Sequence, residues 1–289
     1  MATALRPRTA TELVDAAFQL LRRHYLQFVS IAAVFLIPVV VIQVTAMGPQ
    51  RAVKPGLGYL VAALVVAVLA LLSTAAVTVG VSDSYVHDRV DVLYAIRRVF
   101  SRLLLILGGS FVTVVILSVV MLVLVMIFAV LASGAAAAMG GRPGGIGAMV
   151  GVVLAFVAFA LSFLATWARL FAVPMVIVLE GTTVGAAISR SMALTQGSVW
   201  RIMGVFVLVF LIFAALFALL LGVGTTMIIK YPGLVTAYTV LMGTVNVFVY
   251  PIYTVFVTLL YYDLRIRKDG FDLEVMTKEL AGAAVPVPV

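Results

Sequence analysis

The sequence contains no cysteine and only two histidines. Without cysteine the chain cannot form a disulfide, a thiolate metal site or a cysteine nucleophile. The two histidines, His24 and His87, lie far apart, and neither has a second histidine at helical spacing, which argues against a zinc site. No base, nucleophile and orienting group can be assembled into a catalytic site from the sequence. We therefore expect a protein that is not an enzyme and holds no metal or cofactor.

Charged residues are also scarce, at 10% of the chain, whereas 65% of the residues are hydrophobic. Soluble domains average about 25% charged and about 45–50% apolar residues. A soluble fold could not hide this much apolar surface, so the composition predicts an integral membrane protein. The net charge of +8 comes from cations scattered at predicted helix ends. That pattern indicates contact with anionic lipid rather than with nucleic acid.

Six apolar segments are long enough to cross about 30 Å of hydrocarbon as α-helices. Their predicted boundaries are 26–47, 57–81, 103–133, 150–178, 202–229 and 236–262. The predicted fold class is therefore all-α. A single six-span membrane domain covers residues 1–270, and residues 271–289 form a short cytoplasmic C-terminal tail. The third and fourth segments exceed the length of one span, so we expect them to tilt or to extend beyond the bilayer.

The lysines and arginines are divided unevenly between the two ends of these spans. Fourteen of the 19 lie in the termini and in the connections 82–102 and 179–201, and four lie in the opposite connections. The remaining one, Arg169, lies within the fourth span. Cytoplasmic connections carry the excess of Lys and Arg in membrane proteins. The sequence therefore predicts that both termini face the cytoplasm, in agreement with an even number of spans.

An amphipathic segment precedes each outward span. These segments begin at Thr9, Asp91 and either Thr182 or Thr183, all of which can cap a helix, and Glu12 has capping-box spacing to Thr9. The expected apolar stripes are Leu13, Ala17, Leu20 and Leu21; Val92, Ile96, Val99 and Phe100; and Val184, Ile188 and Met192. Such helices are expected to lie in the cytoplasmic headgroup layer. The cap spacing of roughly 80–90 residues predicts three repeats of an interfacial helix plus a helical hairpin, with coincidence as the alternative.

Arg169 is the ionisable residue that lies well inside an apolar run. Charge within a membrane is costly and by default suggests a function. We expect a structural role, in an ion pair with Asp263, Glu180 or Asp83, and ligand binding is the alternative. Pro174 is expected to kink this span and to free a backbone carbonyl near Arg169.

The sixth span contains Asn246 and Pro251. Proline removes the hydrogen-bond donor for the carbonyl of Val247, which predicts a bend. Asn246 needs a partner in hydrocarbon, and we expect that partner on a neighbouring helix. A packing interface is the expected role of these residues, and half of a broken-helix transport site is the alternative.

The stretch LLYYDLRIRKDGFDLE, residues 259–274, changes abruptly from apolar to charged. Tyrosines favour the headgroup level, and cations next to them favour the anionic inner leaflet. The residues predicted to anchor the protein to lipid are Arg22, Arg23, Arg97, Arg98, Arg102, Tyr261, Tyr262, Arg265, Arg267 and Lys268. Residues 271–282 are expected to form a last amphipathic turn. The acidic residues of this stretch also suit a protein partner.

Three stretches resemble a known family: ELVDAAFQLLRRHYLQF, VPMVIVLEGTTVGAAISRS and YYDLRIRKDGFDLE. They are similar to the bacterial glycerophosphoryl diester phosphodiesterase membrane-domain family, and the similarity covers nearly the whole chain. It implies a six-span helical fold in the bacterial cytoplasmic (inner) membrane. In that family the membrane domain can accompany a separate hydrolase domain. These 289 residues offer no segment for such a domain, so we expect nothing catalytic to carry over.

The leading functional expectation is a non-catalytic accessory or organising subunit. It would bind lipid of the anionic inner leaflet, a protein partner or a second copy of itself through its cytoplasmic interfacial face. The alternative is a small transporter or lipid-handling protein that works through kinked spans at Pro38, Pro174 and Pro251. An enzyme that acts on lipid comes third. Nucleic acid is not an expected partner.

Overall fold

The computed structural model describes residues 9–46, 56–138, 146–270 and 277, and within these residues the fold is all-helical, without strands. The eight helices of the described chain are α1 (Ala10–Thr45), α2 (Leu57–His87), α3 (Val92–Ser101), α4 (Leu103–Ala138), α5 (Ile146–Leu170), α6 (Val184–Thr195), α7 (Val199–Lys230) and α8 (Val235–Asp269). An α-helical turn, Val173–Met175, and a π-helical turn, Val176–Glu180, continue the path of α5. A 3₁₀ turn, Pro232–Leu234, leads into α8.

Six of these helical segments are long and apolar enough to cross a membrane, which confirms the predicted number. They are Thr11–Thr45, Leu57–Tyr85, Leu103–Leu131, Val150–Glu180, Val199–Lys230 and Val235–Asp269. The helices extend past most of the predicted span boundaries, because the polar residues at the span ends are compatible with helix. Two of the connections predicted on the far side fall largely on residues 47–55 and 139–145, outside the described residues. The predicted tail and its amphipathic turn also lie outside them, apart from Thr277.

The first amphipathic segment and the first span form one continuous helix, α1. The N–H of Glu12 donates to Oγ1 of Thr9 at 3.3 Å, and the N–H of Thr9 donates to the Glu12 carboxylate at 2.8 Å. This confirms the predicted capping box. The prediction of a separate interfacial helix here is wrong, because no glycine or proline interrupts the chain between Thr9 and Leu26. The predicted apolar face is buried against the protein at Leu13, Ala17 and Leu21.

The other two amphipathic segments are separate helices, α3 and α6. The carboxylate of Asp91 accepts the N–H of Tyr94 at 2.9 Å, which confirms the predicted cap of α3. Thr183 occupies the N-cap position of α6 without a side-chain cap bond. After α6 the chain turns at Gly197, which has a φ of 75°, a conformation that favours glycine.

The contact faces of α3 and α6 differ in part from the predicted stripes. Small or β-branched residues, Ala95 and Val99 in α3 and Ala187 in α6, are fully buried. Phe100 and Met192, predicted to belong to the apolar stripes, are 54% and 43% exposed. Small side chains let a helix approach the core closely, whereas the larger ones are left outside. Both helices therefore contact the rest of the protein through the face that carries these small or β-branched side chains.

Buried residues concentrate at the charged end of the bundle. This end contains the core positions of α2 over 72–85, of the α5 extension over 170–178 and of α8 over 247–266. The opposite halves of α4, α5 and α7 expose most of their apolar side chains. Helices are tightly packed at one end of the molecule and more open at the other.

Two glycines permit close contacts of α8 with its neighbours at the open end. A Cβ atom on Gly243 would lie 2.5 Å from Cγ2 of Val40 in α1. The ring of Tyr238 occupies the space where Gly224 of α7 has no side chain, at 2.0 Å from an added Cβ. The Tyr238 hydroxyl also donates to the carbonyl of Leu220 at 3.3 Å. These contacts fix the start of α8 between α1 and α7.

We predict that Gly243→Ala destabilises the protein, because Val40 is branched at its Cβ and cannot swing away from the new methyl group. Overpacking of this kind typically costs about 1–3 kcal/mol. The matched control is Gly58→Ala, since nothing lies within 4 Å of a Cβ at Gly58. Thermal unfolding of the purified protein in detergent measures both variants. Equal melting temperatures for the two variants would show that the α1–α8 contact is not tight.

Candidate functional site

An ionic cluster joins the end of the α5 extension to α6 and α8. The guanidinium of Arg190 lies between two carboxylates: its Nε donates to Glu180 at 3.2 Å, and its Nη1 donates to Asp269 at 3.2 Å. A second Arg190 nitrogen also donates to Asp269. The hydroxyl of Tyr261 donates to Glu180 at 2.6 Å, and Nε of Arg265 lies 3.7 Å from the same carboxylate. The hydrogen bond to Asp269 raises the pKa of Arg190 above its ordinary value.

A neighbouring ion pair links α7 to α8. Asp263 is 3% exposed, and its Oδ2 accepts from Arg267 at 3.0 Å and lies 2.9 Å from Nη2 of Arg201. A carboxylate this deeply buried is stable only when it is paired. Asp263 therefore fixes the start of α7 against the end of α8.

Two arginines bind the carbonyls of the π-helical turn. Arg102 donates to the carbonyl of Ile177 at 3.0 Å, and Arg98 donates to that of Leu179 at 3.4 Å. Burial lowers the pKa of Arg102, and Arg98 beside it adds to this effect. A Cβ on Gly181 would lie 2.2 Å from Nη1 of Arg102, and Gly181 has a φ of 74°. The positive φ favours glycine at this position, and the absence of a side chain lets the guanidinium of Arg102 pack on it.

Several residues predicted to anchor the protein to lipid lie inside the protein instead. Tyr261 and Tyr262 are 0% and 3% exposed, and the Tyr262 hydroxyl is hydrogen-bonded to Ser82. The prediction that they anchor the protein to lipid is wrong for both, because neighbouring helices bury the two rings. The side chains of Arg98, Arg102, Arg265 and Arg267 bind carbonyls or carboxylates of the protein.

Five of the predicted anchors are exposed, including Arg267, whose guanidinium is bonded to Asp263. Arg22, Arg97 and Lys268 are exposed. Arg23 is 57% exposed, and its Nη1 lies 3.7 Å from Asp88, the C-cap residue of α2. His24 lies beside it, with Nδ1 bonded to Gln27 at 2.7 Å. The anionic-lipid interaction predicted for these cations stays a prediction.

Arg169 lies apart from the ionic cluster. Its side chain is exposed and forms no ion pair or hydrogen bond with any residue that the structure describes. The predicted pairing with Glu180 or Asp263 is wrong, because arginines of α6, α7 and α8 form the ion pairs with those carboxylates. Asp83, the third predicted partner, is half-buried and also does not pair with Arg169. The backbone carbonyl of Arg169 accepts from Ser191 at 2.6 Å, beside the helix break at Pro174.

An apolar groove of about 950 Å³ lies between α5, α7 and α8, and we call it the aromatic groove. Its lining residues are Phe163, Leu164, Trp167, Phe206, Val207, Val209, Phe210, Phe213, Ala214, Phe217, Ala218, Leu221, Asn246, Val249, Tyr250 and Tyr253. A second groove of about 610 Å³ lies between α1, α2, α7 and α8. Phe217, Leu221, Asn246 and Tyr250 line both grooves, so the two spaces meet there.

The polar residues at this junction differ in their bonding. The Tyr250 hydroxyl is hydrogen-bonded to Thr74 in α2. The Asn246 side chain is exposed within the grooves and has no hydrogen bond to any described residue. The expected partner on a neighbouring helix is therefore wrong: Asn246 faces open space rather than a helix contact. Pro251 lies inside α8 on the next turn, and the helix continues through it.

The spacing of four phenylalanines in the sequence indicates one wall of the groove. Phe206, Phe210, Phe213 and Phe217 recur at intervals of four, three and four, which places them on one face of α7. Arg190 of the ionic cluster and Arg201 of the neighbouring ion pair belong to the predicted excess of cytoplasmic cations. Their partners Asp269 and Asp263 lie in a distant part of the chain, so no local pattern indicates these two pairings.

No group of three His, Asp or Glu side chains within residues 9–46, 56–138 and 146–270 lies close enough to hold a metal ion. Comparisons with known protein families, with curated proteins and with solved structures gave no match. The resemblance to the glycerophosphoryl diester phosphodiesterase membrane-domain family therefore stays a prediction.

We predict that Asp263→Asn strongly destabilises the protein, because it leaves Arg201 and Arg267 facing a neutral amide. Removal of one partner from a buried ion pair costs about 3–5 kcal/mol. The control is Asp91→Asn, which makes the same chemical change at an exposed helix cap, where asparagine caps equally well. Unfolding in detergent is the measurement. Similar stabilities for the two variants would mean that the Asp263 pair contributes little.

Proposed function

We propose that this chain is a non-catalytic, multi-pass membrane protein that binds lipid between its spans. The observation that carries the proposal is the aromatic groove, which is lined mainly by apolar side chains and meets a second groove at Asn246. This corresponds to the lipid-handling alternative drawn from the kinked spans.

Physical reasoning supports lipid as the occupant. A groove among membrane spans is in contact with lipid chains rather than with water, and an apolar lining does not hold water. Helices that pack against each other in membranes favour small residues, which allow close backbone approach. The groove is instead lined by large rings, among them Phe206, Phe210, Phe213 and Trp167. Rings of this size leave a slot for a flexible chain rather than a flat surface for another helix.

We infer that the ionic cluster lies at the cytoplasmic end, in the bacterial inner membrane, with both termini inside. The excess of Lys and Arg at that end supports this orientation. We also infer three repeats of an amphipathic segment followed by two spans. The N-caps Thr9, Asp91 and Thr183 support the repeat, and so do the three return spans, which all end in a left-handed residue. Those residues are Asp88, Gly181 and Gly270.

A second candidate function is that of an accessory or organising subunit. Apolar side chains on α3 favour it, because Leu93 and Phe100 remain 55% and 54% exposed after the helix has packed on the protein. These residues lie on one helix face, seven positions apart, beside exposed Arg97. Such a face suits the cytoplasmic membrane surface or a protein partner.

We predict that Ala214→Trp lowers lipid retention, because the indole fills the aromatic groove. Exclusion of a few buried methylene groups, at about 0.8 kcal/mol each, amounts to about a tenfold loss of affinity or more. The measurement is the number of phospholipids that remain bound in native mass spectra after detergent exchange. Ala215→Trp is the matched control, since the next residue is exposed and does not line the groove. Equal retention by both variants would exclude the groove as the lipid site.

We predict that an impermeant maleimide labels the Lys230→Cys variant in intact bacterial cells, whereas the Arg89→Cys variant is labelled only after permeabilisation. Both positions are exposed, and the chain has no native cysteine that would confuse the result. The reverse labelling pattern would place the ionic cluster outside the cytoplasm.

A further inference from the structure

A third cavity, of about 480 Å³, lies between α1 and α8, and we call it the Arg22 cavity. Phe18, residues 21–27 of α1 and Ile252 of α8 line it. Among these described residues are two arginines and one histidine, but no carboxylate. A recess lined by charge of one sign attracts ligands of the opposite sign, so this lining favours an anion.

Arg22 differs from the other polar side chains of the cavity in its bonding. The others each have a hydrogen bond or an ion pair within the protein: Arg23, His24, Tyr25 and Gln27. Asp88, the carboxylate that lies 3.7 Å from Arg23 and 3.6 Å from His24, does not line the cavity. Arg22 is exposed and forms no hydrogen bond or ion pair with any residue in the described part of the chain. Its guanidinium is therefore available to a ligand.

Large apolar side chains flank Arg22 on the same face of α1. Phe18 and Leu26 lie four residues before and after it, and they are 44% and 76% exposed. A phospholipid matches this pattern because it carries a phosphate next to apolar chains, whereas a free phosphate ion matches only the cation. The face also belongs to a helix that is long and apolar enough to cross a membrane, so lipid can reach it from the bilayer.

We propose that the Arg22 cavity binds a phospholipid, with the guanidinium of Arg22 donating hydrogen bonds to the phosphate and the acyl chains lying against Phe18 and Leu26. A guanidinium presents paired N–H donors that match the geometry of phosphate oxygens. This inference goes beyond the proposed function. The aromatic groove offers apolar side chains and no cation, so it holds lipid without regard to headgroup, whereas the Arg22 cavity recognises the phosphate.

The test compares phosphatidylglycerol with a diacylglycerol that has identical acyl chains. The diacylglycerol keeps the chains and their esters but lacks the phosphate. Delipidated full-length protein is titrated with each lipid, bound lipid is counted by native mass spectrometry, and a melting temperature is recorded for every variant. The wild type is expected to bind phosphatidylglycerol about tenfold more tightly or better, the effect of a hydrogen bond between charged groups.

The Arg22→Gln variant is expected to lose this preference and to keep its binding of diacylglycerol. The change removes no contact with a described residue, so the melting temperature is expected to stay the same. Arg22→Lys is expected to keep a reduced preference, because it retains the charge without the paired donors. The matched control is Arg97→Gln, the same change at an exposed arginine of α3 that lines neither this cavity nor the two grooves. It is expected to keep the full preference.

Three results would overturn the inference. Equal binding of the two lipids by the wild type would show that no site recognises the phosphate; lipid binding in the aromatic groove would still stand, because Ala214→Trp tests that groove separately. An equal loss of preference in Arg22→Gln and Arg97→Gln would indicate general attraction by the cations of this end rather than a site. Displacement of phosphatidylglycerol by millimolar inorganic phosphate would identify a free anion, not a lipid, as the occupant.

Discussion

The bridge from Arg190 to Glu180 and Asp269 is the interaction on which the rest of the structure depends. It joins the π-helical turn and α6, which adjoin in the sequence, to the distant end of α8. Each carboxylate is partly shielded from water, with side-chain exposures of 17% and 25%, so loss of the arginine would leave two like charges close together. The helix ends must therefore converge here, and the buried core forms around that convergence.

The π-helical turn is part of the same constraint. A π turn leaves carbonyls poorly placed for the regular helical bonds, and such turns persist where other groups satisfy them. Arg102 and Arg98 donate to the carbonyls of Ile177 and Leu179, and Gly181 lets the guanidinium of Arg102 approach. Glu180, the last residue of this turn, accepts a hydrogen bond from Arg190. The cations at this end thus stabilise the fold through bonds to the protein itself.

Local features of the fold were predictable from the sequence, and pairings between distant residues were not. The Thr9 capping box, the Asp91 cap and the six long apolar helices all follow from residues close together in the chain. The location of Tyr261 does not, because tyrosine suits a headgroup layer and a buried hydrogen bond to Glu180 equally well. Arg169 shows the same limit: the sequence offers it three carboxylates, and helix packing pairs two of them with Arg190 and Arg201 instead. Asn246 could be singled out from the sequence as a polar residue within an apolar span. The aromatic rings around it could not, because their spacing on α7 is equally typical of a buried helix face.

The arrangement of α7 and α8 explains how a tightly packed charged end and a more open opposite end occur in the same bundle. These helices are fixed together near Asp263 and Arg201, and again where Tyr238 packs on Gly224. Between the two contacts, bulky rings on α7 and α8 hold the helices apart, and the aromatic groove occupies the resulting gap. Side chains in well-packed cores would fill such a space, because voids forfeit dispersion contacts. A gap bounded by two close contacts is therefore a property of the helix pair itself, and under the proposed function lipid chains fill it.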